Sequence, residues 1–339
     1  MDNKVLVIAE AGVNHNGDIT NAKEMVKVAA LAGADYVKFQ TFNAELLANP
    51  KAKKASYQTK NSNEGTSQFE MLKQLQLSKA DHVELIKHCE QQGIGFLSSP
   101  FDMESINLLV DLKVEMIKIP SGEITNLPFL EKIGTLNKHI ILSSGMADLE
   151  EVATAFDILT ACGTSADKIV ILHCTSQYPT TFNNVHLLAM HEIRDKIHRQ
   201  VGFSDHTLGD EASIAAVALG AKVIEKHFTL DKNMIGPDHN FSLDPKELKE
   251  MIRKIRNIES ALGKRIKTPN KEELKNMPFV RKSIHFNEDL PKGTTLSEKH
   301  IVMQRPGTGI SPMEIGSVIG QKTKKDSNRF DLISHDDIE

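Results

Sequence analysis

The chain has 339 residues, of which 40% are hydrophobic and 25% charged, and its formal net charge at pH 7 is −4. This length suits about two domains of ordinary globular composition, with enough apolar material for one large core. Since the chain has no overall excess of basic residues, we expect no nucleic-acid partner. The three cysteines, Cys89, Cys162 and Cys174, fit neither a CxxC pattern nor the spacing of zinc ligands, and we expect buried thiols rather than disulfides.

The N-terminal segment Met1–Glu10 carries an apolar run that is too short for a signal peptide and that a carboxylate ends. No stretch of the sequence approaches the run of apolar residues that a membrane span needs. We therefore expect a cytoplasmic protein without a membrane partner.

Eight short runs rich in β-branched residues recur along the chain, each followed by a turn and a helical pattern. They are nearly continuous in apolar residues, which is typical of parallel strands buried on both faces. The runs are Val5–Glu10, Tyr36–Thr41, Gly95–Ser99, Met116–Ser121, Ile140–Ser144, Ile169–Thr175, Val201–Asp205 and Lys222–His227. Eight strand–helix units predict an α/β fold of the closed (β/α)₈ type, the TIM barrel. The alternative, an open doubly wound sheet, usually carries fewer units and a GxGxxG loop, a motif that this sequence lacks.

Two of the intervening helices have clear boundaries in the sequence. Asp148, with Glu151 three residues later, predicts a capping box at the start of one helix. Asp244-Pro245 opens another, whose apolar stripe stops at Gly263.

Two segments interrupt the strand–helix rhythm. The polar segment Asn43–Ser78 is an unusually long connection after the second strand, and such connections are commonly lids or binding loops. A Lys-rich stretch after Gly263 is typical of a linker, and from Arg281 onward short strand-like runs and turns indicate a small, mostly β module. We therefore predict a barrel over residues 1–263, a linker over 264–280 and a β-rich domain over 281–339.

Polar side chains cluster where the predicted strands end, and that end of a (β/α)₈ barrel carries the active site. Because side chains alternate along a strand, Lys38 and Gln40 share a face, as do Glu225 and His227. A charged residue inside an apolar strand is costly unless it has a partner or a ligand. Several such strand ends together therefore indicate a site. The polar residues at the strand ends are Glu10, Asn14, His15, Asn16, Lys38, Gln40, Ser98, Ser99, Lys118, Ser121, Glu123, Ser143, Ser144, His173, Thr175, Tyr178, Ser204, Asp205, His206, Thr207, Glu225 and His227.

Lys38 and Lys118 admit more than one interpretation. Either could form a Schiff base, as in an aldolase, or both could bind a phosphate or a carboxylate. Either could also simply pair with a carboxylate of the chain or extend its charge to solvent. Two lysines with three hydroxyls suit a doubly anionic ligand better than a single imine. The hydroxyls are those of Ser99, Ser121 and Ser204, and the carboxylates are those of Glu10, Glu123 and Glu225.

His206 and His227 end neighbouring predicted strands, and His206 shares a face with Ser204. Two imidazoles on adjacent strand ends can share one divalent cation and leave positions open for water and substrate. Taken alone, each histidine could equally be structural. Asp205 and Asp238 are further candidates for oxygen ligands or for binding sugar hydroxyls, and the alternative is that they form turns.

These residues stand in motifs that resemble those of the sialic acid synthase family, which includes legionaminate and pseudaminate synthases. The matching motifs follow one another in order over nearly the whole chain, which makes the resemblance specific. They are Ala9-Glu10-Ala11-Gly12-Val13-Asn14-His15-Asn16-Gly17, Val37-Lys38-Phe39-Gln40-Thr41, Ser99-Pro100-Phe101, Lys118-Ile119-Pro120-Ser121-Gly122-Glu123, His173-Cys174-Thr175, Phe203-Ser204-Asp205-His206-Thr207, Glu225-Lys226-His227-Phe228-Thr229, Gly236-Pro237-Asp238 and Arg305-Pro306-Gly307-Thr308-Gly309.

The resemblance implies a barrel followed by a C-terminal module similar to type III antifreeze proteins (a SAF domain). It also implies a divalent metal, usually Mn²⁺, with Mg²⁺ or Co²⁺ as alternatives, on His206 and His227. A domain-swapped homodimer would bring Arg305 to the N-acetyl group of the sugar bound by the other subunit. Phosphoenolpyruvate would lie on Lys38, Ser99, Lys118, Ser121 and Ser204, and the sugar on Glu10, Gln40, Tyr178 and Asp238.

The activity implied by the resemblance is the condensation of phosphoenolpyruvate with N-acetylmannosamine to give N-acetylneuraminate and phosphate. Glu10, Glu123 and Glu225 are then candidates for proton transfer or charge stabilisation. Phe42, Ser176 and Gln177 leave open the alternative of a legionaminate synthase, which uses a 2,4-diacetamido-trideoxy sugar, because Ser176 stands where some members have asparagine. Two other classes would behave differently: a Schiff-base aldolase would be independent of metal, and a non-catalytic sugar-binding protein would release no phosphate.

Overall fold

The computed structural model describes residues 4–54, 59 and 67–339. The chain forms two compact units, Met1–Gly263 and Lys264–Glu339. None of the described helices combines the length and the apolar character that a bilayer span requires.

The first unit is a barrel of eight parallel strands, as the sequence predicts. The strands are hydrogen-bonded in the order β3-β2-β1-β8-β7-β6-β5-β4, and β3 lies beside β4 to complete the ring. The strands are β1 (Leu6–Gly12), β2 (Tyr36–Thr41), β3 (Gly95–Pro100), β4 (Met116–Ile119), β5 (His139–Ser143), β6 (Ile169–Cys174), β7 (Val201–Asp205) and β8 (Val223–His227). β4 ends before Ser121, which the sequence placed in the strand, because Pro120 has no N–H for the ladder and a 3₁₀ turn, Ser121–Glu123, follows it.

Helices surround the strands and cover their outer faces. The described α-helices of this unit are α1 (Ile19–Ala32), α2 (Ala44–Leu47), α3 (Gln68–Leu75), α4 (Lys79–Gln92), α5 (Met103–Asp111), α6 (Leu127–Gly134), α7 (Leu149–Ala161), α8 (Ala189–Ile197), α9 (Glu211–Ala218) and α10 (Pro245–Leu262). The capping boxes predicted for α7 and α10 are both formed, by Asp148 with Glu151 and by Asp244 with Glu247. Each box satisfies N–H groups that the first helical turn would leave without a partner.

Two apolar cores position the site. The larger core lies between the strands and the helices, and it includes the buried faces of α1, α7 and α10. A smaller core packs the side chains Ile8, Leu97, Ile141, Leu172 and Val223 from five strands. These residues precede the polar ones on the same strands, so the apolar packing lies below the C-terminal strand ends and the polar groups above it.

The described part of the connection Asn43–Ser78 has more helix than its polar composition suggests. Its described part contains α2 and α3, and Ser67 forms a capping box with Glu70 at the start of α3. The remainder of the predicted connection, residues 55–58 and 60–66, lies outside the described residues.

The second unit is small and mostly β, as the sequence predicts. Strand β9 (Ser283–Phe286) pairs with β10 (Ile301–Gln304) in antiparallel register. Ile284, Phe286, Leu296 and Val318 lie in its core. The stretch predicted as a linker contains a helix, α11 (Lys271–Val280), which Asn270 and Glu273 cap. Its side chains are not buried, so its helicity depends on local capping and leaves a weak sequence pattern.

Candidate active site

A cavity of about 470 Å³ lies at the C-terminal ends of the barrel strands. Its position agrees with the expectation that barrel enzymes place their chemistry there. Twelve of the fourteen predicted site residues line it: Glu10, Lys38, Gln40, Ser99, Lys118, Ser121, Tyr178, Ser204, His206, Glu225, His227 and Asp238.

Two predicted site residues lie elsewhere. Glu123 ends the 3₁₀ turn after β4, where its Oε2 accepts a hydrogen bond of 2.6 Å from Asn126 Nδ2, and it is not among the residues that line the cavity. Arg305 belongs to the second unit, where its Nε donates to the carbonyl of Val280 at 3.0 Å. The cavity of the first unit is therefore built without either side chain.

Four buried charges form the floor of the cavity, and we call Glu10, Lys38, Lys118 and Glu225 the inner ionic cluster. Lys118 Nζ donates to Glu225 Oε1 at 2.9 Å. Lys38 Nζ lies 3.2 Å from Glu225 Oε2 and 3.3 Å from Glu10 Oε2. The structure thus combines two interpretations of the sequence, because the lysines line the cavity and also pair with carboxylates.

The inner ionic cluster gives its two carboxylates different acidities. Burial raises the pKa of Glu10 to about 7, against the opposing effect of Lys38. Burial acts in the same direction on Glu225, but Lys118 and Lys38 outweigh it and hold the pKa of Glu225 well below its usual range. Glu225 is therefore ionised at neutral pH, whereas Glu10 can exchange a proton there.

Serine hydroxyls surround the inner ionic cluster. Ser99 Oγ accepts from Lys38 Nζ at 3.2 Å, and Ser204 Oγ donates to Glu225 Oε1 at 3.1 Å. Ser121 Oγ accepts from the backbone N–H of Gly145 at 3.0 Å. Ser143 also lines the cavity, and its buried Oγ has no hydrogen-bond partner among the described residues. The sequence placed Ser143 at a strand end but did not single it out as a ligand, since one serine after an apolar run carries little signal.

His206 and His227 lie side by side in the cavity, with ring centroids 5.5 Å apart. His206 donates from Nδ1 to the carbonyl of Thr175 at 2.8 Å, which leaves its Nε2 lone pair available. His227 is buried, and its Nδ1 finds no hydrogen-bond partner in the described part of the chain. Burial and the neighbouring His206 lower the pKa of His227 well below its usual value, so its imidazole is neutral, the form that binds metals.

The donor set fits a divalent cation with open coordination positions. Two imidazoles lie side by side, and Asp238 Oδ2 lies 4.0 Å from His227 Nδ1. Within residues 4–54, 59 and 67–339, no group of three or more His, Cys, Asp or Glu side chains is already arranged around a metal position. A cation held here would therefore draw part of its coordination from water or substrate.

Aromatic and acidic side chains form the wall next to the histidines. The ring of Tyr178 lies 4.2 Å from that of His206 and 5.4 Å from that of Phe241, between centroids. Burial raises the pKa of Asp238 to about 7. Small-molecule cavities commonly combine aromatic side chains with a few polar groups in this way.

Asp205, a candidate ligand in the sequence, points away from the cavity. Its Oδ1 accepts from the N–H and the hydroxyl of Thr207, each at 2.8 Å, and its Oδ2 accepts from Ser213 Oγ at 2.7 Å. Lys226 Nζ lies 3.0 Å from Oδ2 and donates to the carbonyl of Thr207 at 2.6 Å. We call Asp205 and Lys226 the outer ionic pair. The alternation of side chains along a strand, which puts Ser204 and His206 inside, puts Asp205 outside.

A barrel with buried lysines, an ionised carboxylate and paired imidazoles at its C-terminal mouth defines an enzyme that acts on an anionic substrate. Comparison with known proteins identifies the family. Residues 25–267 match the model of the NeuB family, and residues 281–339 match that of the SAF domain. The chain belongs to the NeuB family, and it is a phosphoenolpyruvate-dependent synthase of the sialic-acid type.

Individual relatives resemble the chain over almost its whole length. The N,N'-diacetyllegionaminic acid synthase of Campylobacter jejuni is 50% identical over 330 residues, covering 97% of this chain and 99% of the relative. The enzyme of the same name from Legionella pneumophila is 48% identical over 318 residues, covering 93% and 89%. The crystal structure of N-acetylneuraminic acid synthetase from Leptospira borgpetersenii, in complex with citrate, is 32% identical with a TM-score of 0.71, covering 80% of this chain and 90% of that one.

Proposed function

We propose that this enzyme is an N,N'-diacetyllegionaminate synthase, which condenses phosphoenolpyruvate with 2,4-diacetamido-2,4,6-trideoxymannose. The observation that carries the proposal is the 50% and 48% identity to two synthases of that name, against 32% to an N-acetylneuraminic acid synthetase. This choice replaces N-acetylneuraminate synthesis, the first expectation from the sequence, with its alternative. The two reactions use phosphoenolpyruvate in the same way and differ only in the acceptor sugar.

The inner ionic cluster supports a role in binding phosphoenolpyruvate. Lys38 and Lys118 place two cations beside Ser99, Ser121 and Ser204, and charge-assisted hydrogen bonds of this kind suit phosphate and carboxylate oxygens. In the reaction, C3 of phosphoenolpyruvate attacks the aldehyde carbon of the open-chain sugar, and positive charge develops at C2. Water then adds at C2, and the tetrahedral intermediate expels phosphate by C–O cleavage.

Two carboxylates of the cavity suit different tasks in this scheme. Glu10, whose pKa of about 7 lies near the working pH, can take up or release a proton. Glu225 stays ionised and holds both lysines, so it can also face the positive charge that develops at C2. Gln40, Tyr178 and Asp238 remain for the hydroxyl and acylamino groups of the sugar.

A divalent cation on His206 and His227 would supply the Lewis acid that polarises the aldehyde oxygen. The neutral state of His227 and its Nδ1 without a partner support this assignment. Manganese is the metal that we propose, with Mg²⁺ or Co²⁺ as alternatives.

The acceptor is tested by measuring phosphate release from phosphoenolpyruvate with a panel of acylated mannosamines. We expect kcat/KM to be highest with 2,4-diacetamido-2,4,6-trideoxymannose. A preference for N-acetylmannosamine would contradict the proposal and favour an N-acetylneuraminate synthase. With phosphoenolpyruvate labelled in its bridging oxygen, the label should leave with the phosphate, and label retained in the keto acid would contradict C–O cleavage.

Metal dependence and borohydride trapping distinguish the enzyme from a Schiff-base aldolase. An aldolase would turn over without metal, and borohydride would trap its substrate on Lys38 or Lys118. We expect no trapped adduct, because Lys38 and Lys118 are both engaged in ion pairs with Glu225.

We further propose a domain-swapped homodimer in which Arg305 contacts the acylamino group of the sugar bound by the partner. Large apolar side chains are exposed on several loops and on α11, and burial against a partner chain would remove them from water. They include Met146, Phe182, Ile235 and Phe279, with exposed fractions of 77%, 60%, 69% and 72%. Arg305→Ala should weaken sugar use and leave the KM for phosphoenolpyruvate largely unchanged.

Subunit complementation tests this arrangement. The variant Lys118→Ala, which should be inactive because it lacks a barrel residue of the site, is mixed with Arg305→Ala under conditions that exchange subunits. Heterodimers should regain one competent site, made of an intact barrel and an intact Arg305 from the other chain. If exchange occurs and no activity returns, Arg305 does not act across the dimer.

A further inference from the structure

One side of the cavity is apolar, in contrast to its charged floor. Leu47 and Ala48 come from the end of α2, Leu72 comes from α3, and Phe101 follows β3, and all four line the cavity. We call these four residues the apolar wall. Gln68, the first residue of α3, also lines the cavity, and its side-chain amide comes from the same helix as Leu72.

The apolar wall is supported by packing behind it. Leu47, Leu72 and Phe101 pack against a separate small core made of Val13, Phe42, Met71 and Leu75. The rings of Phe42 and Phe101 meet edge to face, with centroids 6.4 Å apart. Side chains held by a core of their own present a defined surface to a ligand.

Hydrogen bonds anchor the connection that carries most of the wall. The N–H of Asn43 donates to Asp102 Oδ2 at 2.8 Å, and the N–H of Ala44 donates to Gln76 Oε1 at 2.9 Å. Both ends of the described connection are thus tied to the barrel or to each other. These hydrogen bonds hold the residues of the apolar wall in a defined position in the cavity.

The chemistry of the floor orients the acceptor. Phosphoenolpyruvate carries the negative charges, so it belongs on Lys38 and Lys118, and the aldehyde carbon of the sugar must lie next to it. The sugar carbons farthest from the aldehyde then extend away from the inner ionic cluster, where the apolar wall forms part of the lining. A hydroxyl held against aliphatic and aromatic carbon loses its hydrogen bonds to water, whereas a methyl group gains from burial.

We infer that the apolar wall selects acceptors whose terminal carbon is deoxygenated, and that Leu72 and Leu47 are specificity-determining residues. This inference rests on the proposed function, because it concerns the same site and the same reaction. The ligand class is a 6-deoxy, acylamino sugar aldehyde, whose methyl group packs on the wall while Gln68 serves the neighbouring acylamino group.

Two acceptors that differ at one atom test the inference: 2,4-diacetamido-2,4,6-trideoxymannose and its 6-hydroxylated counterpart. The parent enzyme should prefer the deoxy sugar in kcat/KM by about 10- to 100-fold, the range for an apolar pocket that rejects an added hydroxyl. Leu72→Gln should reduce this ratio by about tenfold. Leu46→Gln serves as the matched control, because Leu46 lies on the same connection but is 53% exposed and does not line the cavity.

The KM for phosphoenolpyruvate reports whether each variant has folded, since the floor lysines, and not the wall, are proposed to bind it. If Leu72→Gln fails to fold, Leu47→Gln decides in its place. An unchanged ratio in a folded Leu72→Gln or Leu47→Gln variant would overturn the inference. Equal use of both diacetamido sugars by the parent enzyme would also overturn it and leave the proposed function standing. Phosphate release with N-acetylmannosamine alone would overturn both.

Discussion

The barrel has buried charges on both faces of its strands: the inner ionic cluster faces the cavity, and the outer ionic pair lies on the opposite face of β7 and β8. The two sets differ in how completely they are hydrogen-bonded. In the outer ionic pair, both carboxylate oxygens of Asp205 have partners, and Lys226 binds a carbonyl as well. In the inner ionic cluster, Glu225 Oε1 accepts two hydrogen bonds, whereas Oε2 of Glu225 and Oε2 of Glu10 share the ammonium group of Lys38, at 3.2 and 3.3 Å, and find no further donor among the described residues. A buried charge is costly unless its partners are complete, so the inner face keeps hydrogen-bonding capacity for a ligand.

This difference gives a criterion for separating site from scaffold. Both sets are buried and ionic, so neither burial nor charge distinguishes them. Completeness of the hydrogen bonds does. The outer ionic pair should therefore matter for folding and the inner ionic cluster for turnover.

The largest effect should follow removal of the cation from the inner face. Excess chelator should abolish phosphate release, and Mn²⁺ should restore it, because two imidazoles cannot polarise the aldehyde without the ion. The far-UV circular dichroism should stay the same, because the outer ionic pair is untouched. Full activity in excess chelator, or in His206→Ala, would contradict the metal proposal.

Lys118→Met should act mainly on catalysis. We expect kcat/KM for phosphoenolpyruvate to fall about 10²–10³-fold, as when a preorganised electrostatic donor is removed. Glu225 keeps Lys38 and Ser204 as partners, so the free energy of unfolding should fall less than in the next variant. Urea unfolding and steady-state kinetics on the same preparation measure both effects. A stable variant with unchanged kinetics would remove Lys118 from the site.

Lys226→Met should act mainly on stability. Asp205 would keep its charge in a buried position without a cation, and breaking a buried ion pair in this way costs about 3–5 kcal/mol in the free energy of unfolding. Urea unfolding measures the loss. At a temperature where the variant is folded, kcat/KM should fall less than in Lys118→Met. The reverse order of effects would show that the outer ionic pair belongs to the site.

The smallest effects should come from a matched pair of serines. Ser213→Ala removes a 2.7 Å hydrogen bond to Asp205 and should lower the free energy of unfolding by about 1.5–3 kcal/mol. Ser143→Ala removes a buried hydroxyl without a described partner, so stability should hold or rise while the KM for phosphoenolpyruvate increases. Equal destabilisation by both changes would mean that Ser143 has a structural partner.

Much of the barrel could be predicted because its signals are local. The eight apolar runs match the eight strands to within about two residues, and strand alternation brings Lys38 to the cavity with Gln40, and Glu225 with His227. The same alternation should have excluded Asp205, which was considered for its residue type and not for its position. Lys226 was not singled out from the sequence, because the neighbouring His227 has a clearer chemical role.

Other features depend on tertiary structure and leave little trace in the sequence. Glu123 follows a strand that ends earlier than its apolar run suggests, so the side chain leaves the cavity. Helices α2 and α3 lie in a polar segment, and their apolar residues acquire meaning only when they pack together. The motifs at the floor of the cavity are shared across the family, whereas the residues that we propose for acceptor choice lie mostly in this connection.

The outer ionic pair also bears on how β7 and β8 find their register. Asp205 stands opposite Lys226, one residue before each cavity histidine. A slip of one residue in either strand would exchange its inner and outer faces, so that the histidine would enter the helix layer and the charge would enter the barrel. Such a mispaired barrel would separate Asp205 from Lys226 and bury each without its partner. The pair thus disfavours the wrong alignment during folding and holds the two imidazoles on one face.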